Sequence, residues 1–349
     1  MTDDFASAMR RSLEQTRRGD PAAATATIQA ALRATPRPTA RPRRPLGAVI
    51  SGLASRLRSG HAAAGPEPVV TAGARFELHR HGSAHGTRNY RLYLPAAKGP
   101  LRGVVVMLHG CTQDAAGFAT GTGMNDEAER HGFAVVWPEQ PRGANAQGCW
   151  NWFRPGDQVA GSGEPALLAG LVAEATDRAG AAGLPVHVAG LSAGAAMAVI
   201  LGSAYPDRFR SVGAHSGLPR GAAHDVPSAF AAMGGQGTQP GHAAGPSVPT
   251  IVFHGRADAT VHPSNAEAIA RAAGGGAGTL VESVERGRRG GRRYERTLVS
   301  AADGTTASEL WMVEGLGHAW SGGRAGGSHA DPAGPNASAE MARFFLRVH

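Results

Sequence analysis

From residue 103 onward the chain repeats one alternation: a short, continuously apolar run, then a stretch with helical periodicity. The apolar runs are "GVVVMLHG", "FAVVWPEQ", "PVHVAGLS", "SVGAHSG", "PTIVFHG" and "SELWMVEGLGH". Helical stretches at 122–131, 164–182, 193–204 and 263–273 separate most of them, and 337–347 closes the chain. Strands that are apolar on both sides must be covered on both sides. Joined through helices, they form a mostly parallel sheet. Ahead of them "RFELHRHG" and "NYRLYLP" alternate in polarity around "GSAHG", which predicts a hairpin. Residues 70–349 are therefore expected to form one α/β domain.

The first 69 residues differ. Residues 1–34 read as a small helical extension: Phe5, Met9 and Leu13 follow a four-residue step, and Asp20-Pro21 offers an N-cap with proline at N1. Residues 35–69 read as a linker, opening on the Pro/Arg-rich "TPRPTARPRRP". Within it "LGAVISGLASRL" is either a solvated linker helix or a helix contacting a granule or membrane surface. The start lacks the basic, apolar and small-residue regions of a signal peptide.

The net charge of +8 raises a nucleic-acid or membrane partner until it is located. Residues 1–60 hold 11 Arg against 4 Asp and Glu, so the remaining chain carries only +1. No nucleic-acid partner is expected. Weak surface contact through the basic N-terminal region remains open, as does the oligomeric state.

The run "HVAGLSAGAAMAVILG" places Ser192 between two glycines where a strand turns into a helix. In a parallel sheet, ligands sit at the carboxyl ends of strands. A Gly-x-Ser-x-Gly turn there lifts the hydroxyl above the sheet, with a helix N-terminus behind it. In a chain with 50 glycines the pattern alone is weak, and an ordinary structural turn is the competing reading. A serine nucleophile needs a base, and the base needs an orienting acid. After Ser192, "PTIVFHG" runs into "RADATVHP" and places Asp258 past a strand end. "SELWMVEG" runs into "LGHAWSGG" and places His318 likewise. His215, His254 and His262 compete with His318; His254 is read as structural and His262 as a support for the acid loop. The oxyanion requires backbone donors. The amide of Ala193 follows the nucleophile, and the turn at His109-Gly110 supplies the amide of Cys111.

These residues lie in segments that resemble a known family. "HGCTQ" (109–113), "FATGTGMNDEAERHGFAVVWPEQ" (118–140), "CWNWF" (149–153), "GEPALLAG" (163–170), "GLSAG" (190–194), "HSGLP" (215–219), "HGRADATVHP" (254–263), "GHAWSGG" (317–323) and "DPAGPNASAEMARFF" (331–345) are similar to the short-chain-length polyhydroxyalkanoate depolymerases among the α/β-hydrolase esterases. The resemblance covers about residues 75–349. It implies an α/β-hydrolase fold with Ser192 as nucleophile, Asp258 as acid and His318 as base. It also implies an acyl-enzyme route to polyester or oligoester cleavage that needs no cofactor. Feruloyl and acetylxylan esterases have related catalytic domains and form the alternative. A granule-associated protein with a vestigial hydrolase fold is the alternative of another class. Members that attack crystalline polymer usually carry a signal peptide and an adsorption domain. Neither pattern is visible here, so oligomers, amorphous polymer or small esters are the expected substrates.

Cys111 and Cys149, the only two cysteines, both fall in loops after strand ends. They form either a disulfide tying those loops together or two buried thiols. A disulfide favours export, whereas the missing signal pattern favours a reducing compartment. "CWNWF" concentrates aromatics, and Trp150 and Trp152, with Trp320 near the base and His109 near the oxyanion loop, are candidates for lining the substrate pocket. The competing reading is that they staple loops to the core. No His-x-x-x-His or Cys-x-x-Cys arrangement supports a metal. "GGGAG" at 274–278 follows a helix and is read as loop.

Overall fold

A computed structural model describes residues 67–96, 99–236, 248–274 and 279–347. The expectations for 1–34, for 35–66 and for the loop at 275–278 lie outside the described residues. All the described residues belong to the unit running from Ala63 to His349.

Ten strands form one sheet in the order β1-β2-β4-β3-β5-β6-β7-β10-β9-β8. The centre is parallel: β4 (Ala134–Glu139), β3 (Val104–Leu108), β5 (Val186–Leu191), β6 (Ser211–His215), β7 (Thr250–Gly255) and β10 (Thr306–Val313). These are the six apolar runs of the sequence. At one side the hairpin of β1 (Arg75–Ser83) and β2 (Gly86–Leu94) pairs antiparallel with β4. At the other, β9 (Arg292–Ala301) and β8 (Leu280–Arg289) pair antiparallel with β10. A two-stranded ladder joins β11 (Trp320–Ser321) to β12 (Ala330–Asp331).

Alternate residues of β3 enter opposite layers. Val104, Val106 and Leu108 pack in one core with Leu168, Leu171, Met197, Leu201 and Ile269. That face is covered by α3 (Gly163–Arg178), α4 (Ala193–Ala204) and α6 (Ser264–Gly274). Val105 and Met107 pack on the other side with Phe118, Met124, Phe133, Trp137, Met341 and Phe345. There the cover is α1 (Ala115–Thr122), α2 (Met124–His131) and α7 (Ala337–Phe345). This is the mostly parallel, doubly covered sheet the alternation predicts, and the α/β-hydrolase arrangement the family resemblance implies. A further helix, α5 (Val226–Met233), follows β6.

Two helices and a hairpin are among the elements that escaped the sequence reading. Helix α1, "AAGFATGT", is rich in poor helix formers and is held by burial and by the Asp114 N-cap, which accepts from Gly117 N at 2.7 Å. Helix α5 is short and begins on a capping box between Asp225 and Ser228. Hairpin β8–β9 turns at Gly290 and Gly291, both at positive φ (52° and 86°), as a tight two-residue turn requires. Its outer strand is exposed almost throughout, so no apolar run marks it.

Candidate active site

The serine turn is built by close approach. Ser192 stands between β5 and α4 at φ 58°, ψ −120°, a left-handed φ that costs a non-glycine residue energy. A Cβ on Gly194 would lie 2.0 Å from the carbonyl oxygen of Leu108, and one on Gly190 would lie 2.4 Å from the carbonyl carbon of Gly194. Both glycines are therefore required for α4 to start against the ends of β3 and β5. The Ser192 amide donates to His215 O at 2.9 Å, which fixes the turn. Ser192 stays partly exposed while its neighbours Leu191 and Ala193 are buried. Ala193 is the first residue of α4, so its N–H has no intrahelical acceptor.

At the same carboxyl-terminal edge of the parallel strands, the loops after β7 and β10 meet by an analogous device. A Cβ on Gly255 would lie 2.1 Å from Leu316 O. Arg256 N donates to Val313 O at 2.9 Å, and Ala257 N donates to Leu316 O at 3.0 Å. Held in this way, Asp258 Oδ2 accepts from His318 Nδ1 at 2.8 Å. Its Oδ1 accepts from the amides of Thr260 and Val261, each at 2.9 Å. Burial pushes the Asp258 carboxyl up, but hydrogen bonds from His254 and His318 and from the Val261 amide outweigh it and hold the group well below the usual carboxylate range. Asp258 is thus an anion that keeps the His318 proton on Nδ1 and leaves Nε2 able to accept another.

The competing histidines have other duties. His254 is fully buried; its Nε2 donates to Val261 O at 2.8 Å and lies 3.4 Å from Asp258 Oδ2, bracing the acid loop. His262 Nδ1 pairs with Ser264 Oγ at 2.8 Å, and its amide donates to Met233 O, so it supports the same loop. His215 is buried with Nε2 accepting from Ser321 N at 3.0 Å, and burial drives it well below its ordinary value.

Cys111 and Cys149 form a disulfide across 38 residues. It fastens the loop after β3 to the loop that carries Trp150 and Trp152. Around Cys111, Gly110 N donates to Gln113 Oε1, Gln113 N to Gly110 O and Thr112 N to Gln147 O. The Cys111 amide makes no hydrogen bond among the described residues, so it is open to a ligand oxygen. A residue without a part in the sequence reading organises this region. Glu164, at the start of α3, accepts from Asn151 N and Asn151 Nδ2 at 2.7 Å each and from Arg88 at 3.2 Å. It also accepts from Gln140 Nε2. Its segment "GEPALLAG" was visible, but the role arises only from tertiary contact.

The expected pocket residues are placed elsewhere. His109 is fully buried; Nε2 accepts from Gln140 N at 3.0 Å and Nδ1 donates to Gly110 O at 2.8 Å. Trp150 is fully buried and donates from Nε1 to His109 O at 3.1 Å. Trp320 donates to Ser338 Oγ at 3.1 Å and packs between His215 and Phe118. Trp152 is buried against Phe153. These four side chains fasten the site loops to the core and present no accessible wall. The polar atoms of His109, Trp150 and Trp320 find hydrogen-bond partners inside, which makes burial cheaper than exposure. In the aromatic cluster Phe153 is the ring that keeps some exposure.

Comparison with known proteins agrees with this fold. A poly(3-hydroxyalkanoate) depolymerase C from Paucimonas lemoignei is 28% identical over 79% of the chain and 67% of its own length. Acetylxylan esterase A from Aspergillus oryzae is 28% identical over 57% of the chain and 70% of its own length. Among solved structures, the acetyl xylan esterase from Aspergillus awamori superposes with a TM-score of 0.56 at 21% identity, covering 69% of this chain and 94% of that one. That likeness bears on the fold. The model of the family described as "Esterase PHB depolymerase" matches residues 88–297, a span that runs from β2 through the loop after β3, Ser192 and Asp258, and the chain belongs to that family.

Proposed function

We propose that the protein is a serine carboxylesterase that cleaves polyhydroxyalkanoate-type esters, acting on 3-hydroxybutyrate oligomers or amorphous polymer. The observation that carries the mechanism is the 2.8 Å hydrogen bond from His318 to an anionic Asp258, at the sheet edge that also carries a serine held at left-handed φ. His318 Nε2 takes the hydroxyl proton as Ser192 Oγ attacks the ester carbonyl carbon. The carbonyl oxygen becomes an oxyanion held by the amides of Ala193 and Cys111. Collapse breaks the ester C–O bond, and His318 returns the proton to the leaving alkoxide. Water then attacks the acyl-enzyme with His318 as base and releases the free acid and Ser192. Asp258 stabilises the imidazolium formed in each half.

The depolymerase relative, which matches more of the chain than the acetylxylan esterase does, supports the polyester substrate. The acetylxylan relatives support a second reading, deacetylation of a polysaccharide. Parallel product assays on 3-hydroxybutyrate trimer, amorphous granules, acetylated xylan and a feruloyl ester separate them. Release of 3-hydroxybutyrate with the highest kcat/KM is expected; preference for acetylated xylan or the feruloyl ester would replace the substrate while leaving the serine mechanism in place.

A further inference from the structure

Among the described residues four that are not glycine adopt a left-handed φ: Thr112 (65°), Ser192 (58°), Ser216 (51°) and His329 (53°). This conformation costs on the order of 1 kcal/mol for such residues and persists where the surroundings enforce it, most often at functional sites. Three of the four lie at or next to residues described above: Thr112 adjoins Cys111, Ser192 is the proposed nucleophile, and Ser216 follows His215, whose carbonyl accepts from the Ser192 amide. His329 has no role in the steps proposed so far.

Its backbone is clamped from several sides. Trp320 N donates to His329 O at 2.7 Å, and Ala330 pairs with Trp320 in the β11–β12 ladder. Gln113 Nε2 donates to Ser328 O at 2.9 Å and to Ser328 Oγ at 3.1 Å, tying this segment to the oxyanion loop. A Cβ on Gly327 would lie 2.1 Å from Gly121 Cα, so the segment also rests on α1. Positions 322, 323, 326 and 327 are glycine, and glycine would adopt the backbone of 329 without strain. What the strain maintains here is therefore a side chain. That side chain is exposed, and its ring stands edge-on to His318 with centroids 6.5 Å apart. Neither ring nitrogen makes a hydrogen bond to a described residue.

We propose that His329 is a substrate-specificity residue, donating an imidazole N–H to the carbonyl of the ester unit next to the one being cleaved. The proposal rests on the polyester reading above and deepens it. A chain of 3-hydroxy acids offers acceptors at every unit and no donors along its length, so only a donor on the protein can recognise a neighbouring unit. Carbonyl carbons of adjacent units are four bonds apart, roughly 5 Å in an extended chain. This spacing matches an imidazole placed one ring beyond the base. Partial desolvation by the segment it stands on, with the neighbouring His318 on one side, keeps the otherwise exposed His329 below its ordinary value, which favours the neutral ring with one N–H.

The test is steady-state kinetics of wild type, His329→Ala, His329→Phe and His329→Gln on 3-hydroxybutyrate trimer and on p-nitrophenyl acetate. The acetate has no second ester unit. All three variants retain a Cβ, so the backbone strain is common to them. In His329→Ala and His329→Phe, kcat/KM for the trimer is expected to fall about tenfold further than for the acetate, equivalent to about 1.4 kcal/mol, chiefly through KM. His329→Gln, which keeps an amide donor, should recover most of the difference. Equal losses on both substrates, or a Phe variant indistinguishable from wild type on the trimer, would overturn the assignment. A wild type that cleaves acetate but not the trimer would overturn the polyester reading and this inference with it. Wild-type cleavage of the trimer with an unchanged ratio in the variants would remove the inference alone.

Discussion

At the scale of residues, the proposed mechanism depends on the Ser192 hydroxyl and on the glycines that let it stand where it does. Ser192→Ala and His318→Ala are expected to lower ester turnover by on the order of 10⁴-fold with unfolding midpoints near wild type. Asp258→Asn should also be crippling, because the anion that holds the His318 tautomer is lost; the same steady-state assay checks it. Gly194→Ala should behave in the opposite way. Its methyl would sit 2.0 Å from Leu108 O, so it should destabilise the fold by about 3 kcal/mol or more, measurable by denaturant unfolding. A Gly194→Ala protein as stable as wild type would show that α4 does not approach β3 as described. Ser192, Asp258 and His318 were legible in the sequence as candidates because each follows a recognisable apolar strand, and the structure joins two of them, Asp258 and His318, by a hydrogen bond. The duties of Trp150, Trp320 and His109 were not legible. Whether an aromatic ring near a site faces a ligand or a core depends on which polar groups its edge can reach, such as Ser338 Oγ for Trp320.

At the scale of elements, the loop after β3 has no regular structure to hold it. The disulfide to Cys149 and the Glu164 cluster hold it instead. Glu164 and Gln140 are 24 residues apart and Glu164 and Arg88 are 76 apart, so no local period in the sequence announces the network. The six parallel strands, by contrast, were readable because burial on both faces forces a continuous apolar run. Hairpin β8–β9 was hidden by its exposed, charged outer strand, although the Gly-Gly turn was a usable signal. Removing the bridge by Cys149→Ala should cost roughly 3–4 kcal/mol of stability for a closed loop of 38 residues. It should also lower kcat more than it raises KM, since the Cys111 donor acts on the oxyanion rather than on the bound ester. Thermal unfolding and kinetics of the variant check both; loss of stability with full kcat would remove Cys111 from the oxyanion role.

For the whole molecule, buried neutral histidines set the response to acid. Burial lowers His187 to about 4, and it lowers His109 and His215 as well. Once unfolded, each takes up a proton below about 6.5, so the unfolded chain binds more protons than the fold between pH 6.5 and 4. Stability should therefore fall as pH drops through that window, with His187 alone contributing roughly 3 kcal/mol. Denaturant unfolding at pH 7 and pH 4.5 measures this, and equal stability at the two pH values would contradict it. The excess positive charge belongs to residues 1–60, ahead of the sheet. A chain beginning near residue 66 is expected to keep its turnover of soluble esters. Any loss should appear on anionic or granule surfaces and shrink with added salt. Equal loss on a soluble ester would assign those residues a part in the site.

The most direct test of the account is covalent labelling of the nucleophile. The protein is incubated with a p-nitrophenyl alkylphosphonate, and labelling is followed by peptide mass spectrometry alongside residual activity. One adduct per chain on Ser192, loss of activity in step with it, and greatly slowed labelling in His318→Ala are the results predicted. Activity that survives complete modification of Ser192, or inactivation by an adduct on another residue, would contradict the serine mechanism.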